Sequence, residues 1–227
     1  MRKIALLTVV AFAAACGSSD PAPTGSTITG TVGNGAFTSA AQLAMVLSGD
    51  ACEIAVAPGV QLGVSLALID VANVAGTCGD SQSCISNSTN LGLIIAKVHV
   101  PTVALPSVTA PPFTTGTYQF ANLNNLAGLA GITPDASGNI SIFAGGVEIL
   151  GAAPTCATTG GYGISAGTLT VSSVTGSTIT GQVSVTLVDS NGAAAGTLSG
   201  TFTTATNCTP SPAPSACTVL SGLIPAT

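Results

Sequence analysis

Hydrophobic and polar residues alternate most regularly in residues 167–204. Apolar side chains recur there at every second or fourth position, and Thr, Ser and Gln fill the positions between them. This is the period of a half-buried β-strand. Residues 175–177 and 189–192 carry the Gly and Asn that reversing chains need. The pattern predicts a three-stranded antiparallel meander with one apolar face, which the rest of the chain must cover.

Strand patterns also precede the meander. Branched apolar residues occupy every even position of residues 60–68, which indicates one buried strand face. In residues 91–100, Lys97 and His99 fall on the same side of a predicted strand, and we expect that side to face solvent at the strand's end. Further strands are predicted at residues 27–32, 52–57, 116–121 and 140–150. A bulge is predicted at Gly145 and Gly146, and residues 39–47 fit a short helix or a strand.

These segments predict an all-β fold, either an antiparallel β-sandwich or a barrel of about eight to ten strands ending in the meander. Two packed sheets or a closed sheet are favoured because open Ser/Thr-rich edges would pair with other chains. The composition agrees, since 46% of the 227 residues are hydrophobic and 5% are charged. A chain this apolar can bury a core and is not intrinsically disordered.

Charge excludes several functions. The net charge is −5, and two of the three basic residues, Arg2 and Lys3, lie in a segment that we expect to be removed. Binding to nucleic acid requires clustered Lys and Arg, which this chain lacks. An integral β-barrel of the outer membrane is disfavoured, because such barrels carry aromatic girdles and aromatic residues make up only 4% of the chain.

The N-terminus reads as an export signal. Two basic residues precede an apolar run at residues 4–14 that is too short for the ~20-residue span of a bilayer-crossing helix. Ala13, Ala14, Ala15 and Cys16 resemble the lipobox of bacterial lipoproteins. That resemblance implies cleavage before Cys16, lipidation of Cys16 and anchoring to a membrane, with the outer membrane favoured by Gly17. The alternative is ordinary secretory cleavage after Ala15.

This reading divides the chain into a signal peptide (residues 1–15), a flexible tether (16–26), the all-β domain (27–208) and a Pro-rich C-terminal tail (209–227). Removing Cys16 leaves an even set of cysteines, which suits disulfide bonds in an oxidising compartment. The candidates are Cys52, Cys78, Cys84, Cys156, Cys208 and Cys217. Cys156 with Cys208 is the favoured pair because both flank the meander. The loop between Cys78 and Cys84 is predicted to be braced by a disulfide and not to bind metal, since Asp80 is its only carboxylate.

No catalytic residue is predicted. Residues 163–167 match the G-x-S-x-G pattern of serine hydrolases around Ser165, but a strand follows where that motif requires a helix. His99 also precedes the serine, whereas in those hydrolases the histidine comes last. Glycosidases need two carboxyl groups in one cleft, usually with aromatic platforms, and this chain has no Trp. No cofactor is expected.

The order of features resembles a group of uncharacterised lipoproteins from bacteria with large genomes. The shared features are the lipobox, an early strand containing Ile28-Thr29-Gly30, the Gly116-Thr117-Tyr118 element, Cys156 and a final strand leading to Cys208. The resemblance implies an antiparallel β-domain. We expect a lipid-anchored structural or interaction module of the cell envelope with a protein or glycan partner. The alternative is a barrel-type carrier of a small apolar ligand.

Overall fold

A computed structural model describes residues 26–53, 61–75, 87–99, 108–122, 132–152, 155, 157–176, 178–204 and 215–223. This part of the chain contains ten β-strands and one short helix. The strands are β1 (Ile28–Val32), β2 (Gly35–Thr38), β3 (Ala41–Glu53), β4 (Gln61–Ala72), β5 (Thr89–His99), β6 (Gly116–Phe120), β7 (Asn139–Leu150), β8 (Thr158–Thr175), β9 (Thr178–Val188) and β10 (Ala194–Thr203), and the helix is α1 (Ala216–Leu223). The all-β fold predicted from the alternating pattern is confirmed.

All ten strands belong to one strongly curled sheet, which forms a half-barrel. The strand order is β2-β1-β10-β9-β8-β6-β7-β5-β4-β3, and β8 also pairs with the end of β7. Every pairing is antiparallel except the short one between β6 and β7. That parallel pair was not predicted. Parallel pairing of two successive strands requires a crossover connection of a dozen or more residues, and residues 121–138 separate β6 from β7.

The C-terminal meander is confirmed. Strands β8, β9 and β10 pair in sequence, with Leu169 opposite Val183 and Val185 opposite Leu198. Strand β8 is longer than expected and starts at Thr158. The predicted alternation also holds in β5, where Lys97 and His99 share one side of the strand.

The sheet buries apolar side chains on both sides. Its concave side is filled along the whole half-barrel by one cluster, whose largest buried members are Phe37, Tyr118, Phe143 and Phe202. The convex side of β3, β4, β5 and β7 carries a second cluster, covered by α1 and by Ala121 and Ile132. Strand β4 is therefore buried on both faces, whereas its sequence pattern predicted one.

Two local expectations are settled by backbone contacts. Residues 41–47 are strand and not helix. Strand β7 runs without interruption through Gly145 and Gly146, and its irregularity lies between Ile149 and Leu150 instead. The predicted bulge is wrong because Gly145 serves close strand packing: a Cβ there would overlap the backbone carbonyl of Gly92 on β5.

Helix α1 lies within the segment predicted to be a Pro-rich tail. The hydroxyl of Ser215 accepts a hydrogen bond from the amide of Thr218 at 3.1 Å and so caps the helix N-terminus. Ala216 and Val219 are buried against the convex cluster. Within the described residues, no helix is both long and apolar enough to span a bilayer.

Candidate functional site

The outer side of the meander and its neighbouring strands is a broad polar surface. Alternation turns the apolar residues of β8, β9 and β10 inward and leaves Thr, Ser and Gln pointing outward. Strand pairing aligns these residues in rows across the sheet. One row crosses six strands and contains Gln119, Thr168, Ser184, Ser199, Thr29 and Thr38. A second row contains Thr117, Thr170, Gln182 and Thr201.

We call these two rows the hydroxyl face. All ten of its side chains are exposed, and none of them is ionisable. Neighbouring strands lie about 4.8 Å apart, and side chains on one face of a strand recur about every 6.8 Å, so the hydroxyls form a regular grid on the curled sheet. A hydroxyl both donates and accepts hydrogen bonds. The face can therefore bind a neutral polar partner at many points at once.

Lys97 and His99 lie at one end of the half-barrel, on its concave side. The Lys97 ammonium donates a hydrogen bond to the Thr114 hydroxyl at 3.0 Å, and His99 Nδ1 lies 3.1 Å from the side-chain oxygen of Asn139. Both side chains are half-buried, so the expectation that they simply face solvent is too strong. Residues 108–115 cover this end, and the Ser65 hydroxyl donates to the carbonyl of Pro111.

Ser165 and His99 are not brought together. Ser165 is exposed at a bulge of β8, between Ile164 and Ala166, and its hydroxyl donates to the carbonyl of Thr186 at 3.3 Å. His99 is on β5, and β6 and β7 separate the two strands in the sheet. Ser165 also sits within a strand and not on the sharp strand-to-helix turn of a hydrolase nucleophile.

Two carboxylates organise turns. Asp135 accepts hydrogen bonds from the amides of Ser137 and Asn139, and Asp189 accepts them from Asn191 and Ala193, at 2.8–3.0 Å. Hydrogen bonds from the Asn139 amide above all lower the pKa of Asp135, and those from Ala193 and Asn191 lower the pKa of Asp189. Their geometry explains both residues as turn formers.

Cys52 and Cys217 form a disulfide bond that joins β3 to α1. The sequence identified both as disulfide candidates but did not pair them. The favoured pair, Cys156 with Cys208, lies outside the described residues, as do Cys16, Cys78 and Cys84. Among the described residues, no group of three or more His, Cys, Asp or Glu side chains could hold a metal ion.

Sequence reasoning recognised the polar side of the meander strands but did not assemble the hydroxyl face, and it did not predict β2, which carries Thr38. The rows depend on strand register, and they extend across strands far apart in the chain, such as β1 and β8. The signal that could have found most of them is the recurrence of Thr and Ser at every second position in β1, β8, β9 and β10. Comparison of the chain with protein-family models, with curated proteins and with solved structures finds no match.

Proposed function

We propose that the protein is an exported, lipid-anchored interaction module of the cell envelope, and that the hydroxyl face binds a neutral, hydroxyl-rich glycan. The observation that carries this proposal is the continuous row of exposed, uncharged hydrogen-bonding side chains across six strands. Protein interfaces usually have an apolar, often aromatic centre, and the hydroxyl face has none. A neutral glycan matches both its polarity and its lack of charge.

The anchor would increase the strength of such binding. The four residues ending at Cys16 resemble a lipobox, and a lipidated Cys16 would hold many copies on one membrane. Each hydrogen bond to a hydrated glycan contributes little. When several membrane-held copies of the protein bind one glycan polymer, however, the first contact raises the effective concentration for each further contact. The Cys52–Cys217 disulfide is in keeping with an oxidising compartment.

The packing of the concave side supports binding at the outer surface over transport of an apolar ligand inside the half-barrel. Phe37, Tyr118, Phe143 and Phe202 fill this side, and each is at most 2% exposed. Tyr118 is held further by a hydrogen bond from its hydroxyl to the Thr114 carbonyl at 2.6 Å. A carrier needs space where these side chains pack.

Binding is tested with the full exported chain against an array of neutral and charged glycans. The variant Thr168→Glu/Ser199→Glu adds two charges to one row, on strands separated by β9. Thr133→Glu/Ala136→Glu adds the same charge at exposed positions outside the face. We expect the first variant to lose at least tenfold in apparent affinity for the neutral glycan and the second to keep it. Equal binding by both variants, or binding to charged glycans alone, would contradict the proposal.

Anchoring is tested separately in cells. Incorporation of labelled palmitate into the wild-type chain, and its loss in Cys16→Ser, are the expected results. Export of an unlipidated chain cleaved after Ala15 would support the secretory alternative and remove the anchor from the proposal.

A further inference from the structure

The two rows of the hydroxyl face differ in length and follow the curl of the sheet. Their side chains point away from the concave cluster and so lie on the convex side of the half-barrel. The longer row runs from Gln119 on β6 to Thr38 on β2 and crosses six strands. At about 4.8 Å per strand it is about 24 Å long. Along β10, by contrast, Thr197, Ser199 and Thr201 present three exposed side chains over about 14 Å.

The side chains of the longer row are available to a ligand. Within the described part of the chain, none of the six makes a hydrogen bond to another residue. Other exposed hydroxyls are used internally. Thr117 and Thr170 of the shorter row share a hydrogen bond at 3.5 Å, and the Ser172 hydroxyl donates to the Thr180 carbonyl at 3.1 Å. The longer row is therefore a continuous line of donors and acceptors that the fold leaves to solvent.

Convex curvature limits which glycans can use the whole row. A flat crystalline surface or a stiff straight chain touches a convex line at only a few neighbouring strands, because the protein surface falls away on both sides of the contact. A flexible single chain can follow the curl and reach all six strands. Each hydrogen bond to a hydrated ligand adds little net free energy, so the number of simultaneous contacts decides the affinity. The row therefore favours a flexible chain.

We propose that the hydroxyl face binds single, flexible chains of a neutral polysaccharide, which lie across the strands along the longer row. This inference rests on the proposed function, because it takes the hydroxyl face to be a glycan-binding surface, and it adds the direction and the flexibility of the ligand. Gln119 and Thr38 are then the two end subsites, which only a chain as long as the row contacts together. Neither row contains an ionisable side chain, in keeping with a neutral polymer.

The first experiment compares two glucose polymers that differ in stiffness. The full exported chain is incubated with dextran, a flexible polymer, coupled to beads, and with microcrystalline cellulose of equal glucose content, whose straight chains pack into flat surfaces. We expect dextran to retain about tenfold more protein than cellulose, because only dextran can follow the curl and contact several strands at once. Equal or stronger retention on cellulose, or no retention on dextran, would overturn the inference. If the glycan array nevertheless shows a neutral ligand, the proposed function stands without this inference; if it shows none, both fail.

A series of oligosaccharides tests the direction of the chain. Isomalto-oligosaccharides, the short forms of dextran, are titrated into the protein and followed by NMR. Affinity should rise with oligomer length, by about tenfold or more in total, and level off once the oligomer spans about 24 Å. In Gln119→Ala/Thr38→Ala only four strands of the row keep their polar side chains, so affinity should level off at about 14 Å. The matched control Thr197→Ala removes an exposed hydroxyl of β10 that belongs to neither row and should leave the series unchanged.

The position of this plateau separates ligand contact from stability. A variant that only destabilised the fold would weaken the binding of every oligomer by the same factor and would not move the plateau. A plateau that stays at the wild-type length in Gln119→Ala/Thr38→Ala would overturn the inference, as would an affinity that does not depend on oligomer length. Loss of affinity in Thr197→Ala, with none in the double variant, would also overturn it, because the chain would then lie along the strands.

Discussion

The side-chain oxygen of Gln42 accepts a hydrogen bond from the backbone amide of Thr203 at 2.8 Å, although the two residues are 161 positions apart. Gln42 is at the start of β3, one edge of the sheet, and Thr203 is at the end of β10, near the other edge. The amide nitrogen of the same glutamine donates to the Ser26 carbonyl and the Ser39 hydroxyl, at 3.2 Å and 3.1 Å. One buried side chain thus ties together the two margins of the half-barrel.

Replacement of Gln42 by Leu should lower the free energy of unfolding by about 1–3 kcal/mol, because it leaves the Thr203 amide and the Ser26 carbonyl without their partners. The reference variant is Gln182→Leu, at an exposed position of β9, which should change stability by less than about 0.5 kcal/mol. Urea unfolding followed by circular dichroism measures both. Equal stability of the two variants would show that the bridge across the margins contributes nothing.

Loss of the Cys52–Cys217 bond should also destabilise the folded protein. The bond closes a loop of 165 residues, and cross-links over long loops restrict the unfolded chain most in the chain-entropy description. We expect Cys52→Ser/Cys217→Ser to lower the free energy of unfolding by about 2–5 kcal/mol. Helix α1 should also become accessible to protease, since the bond fixes it to β3.

The measurement requires that the bond be identified in the wild-type chain. Peptide mapping under non-reducing conditions should recover Cys52 linked to Cys217. If the mapping finds either residue paired with a different cysteine, the predicted loss of stability no longer refers to this bond.

The sequence could predict the strands but not how distant strands meet. Alternation of apolar and polar residues indicated β5 and the three strands of the meander, because one face of each is buried and the period of two is visible locally. The role of Gln42 could not be inferred, since it appears as one polar residue within an apolar run, and its partners are fixed only when the sheet curls. The same holds for Asp70 and Glu148, which lie on the same side of the sheet only through the register of β4, β5 and β7.

Helix α1 is a second element that the sequence could not predict. Residues 209–214 contain three prolines, and this composition favoured an irregular tail. The helix that follows is short, and its stability depends on burying Ala216 and Val219 and on the bond to Cys52. Such tertiary contacts leave no local pattern in the sequence.

Gly200 in β10 should be intolerant of substitution. Its φ of +151° is rarely adopted by other residues, and a Cβ there would overlap the backbone carbonyl of Thr27 beside β1. Gly200→Ala should therefore lower the free energy of unfolding by about 2 kcal/mol or more. Gly35→Ala is the matched control, because φ at Gly35 is not positive and the nearest atom to its Cβ position, the Val32 carbonyl oxygen, is 3.5 Å away. Similar losses in both variants would contradict the requirement for glycine at position 200.

Asp70 should make the protein less stable at neutral pH than in mild acid. Burial, together with the charge of Glu148, raises the pKa of Asp70 from 3.8 to about 6. The folded state then binds a proton more tightly than the unfolded chain, so the contribution of this group is largest below about pH 4 and is lost as pH rises through about 6. Asp70→Asn should therefore raise the free energy of unfolding near pH 7 by about 1–2 kcal/mol, allowing for partial exposure, and should flatten its decline between pH 4 and 6. Asp189→Asn should instead lower the free energy of unfolding near pH 7, because hydrogen bonds lower the pKa of Asp189 and favour the charged form in the folded state. This contribution is lost only as pH falls below about 4, so the Asp189→Asn profile should stay parallel to that of the wild type between pH 4 and 6. Urea titrations across this pH range measure both variants, and an Asp70→Asn profile parallel to that of the wild type would mean that burial of this carboxyl group carries no cost.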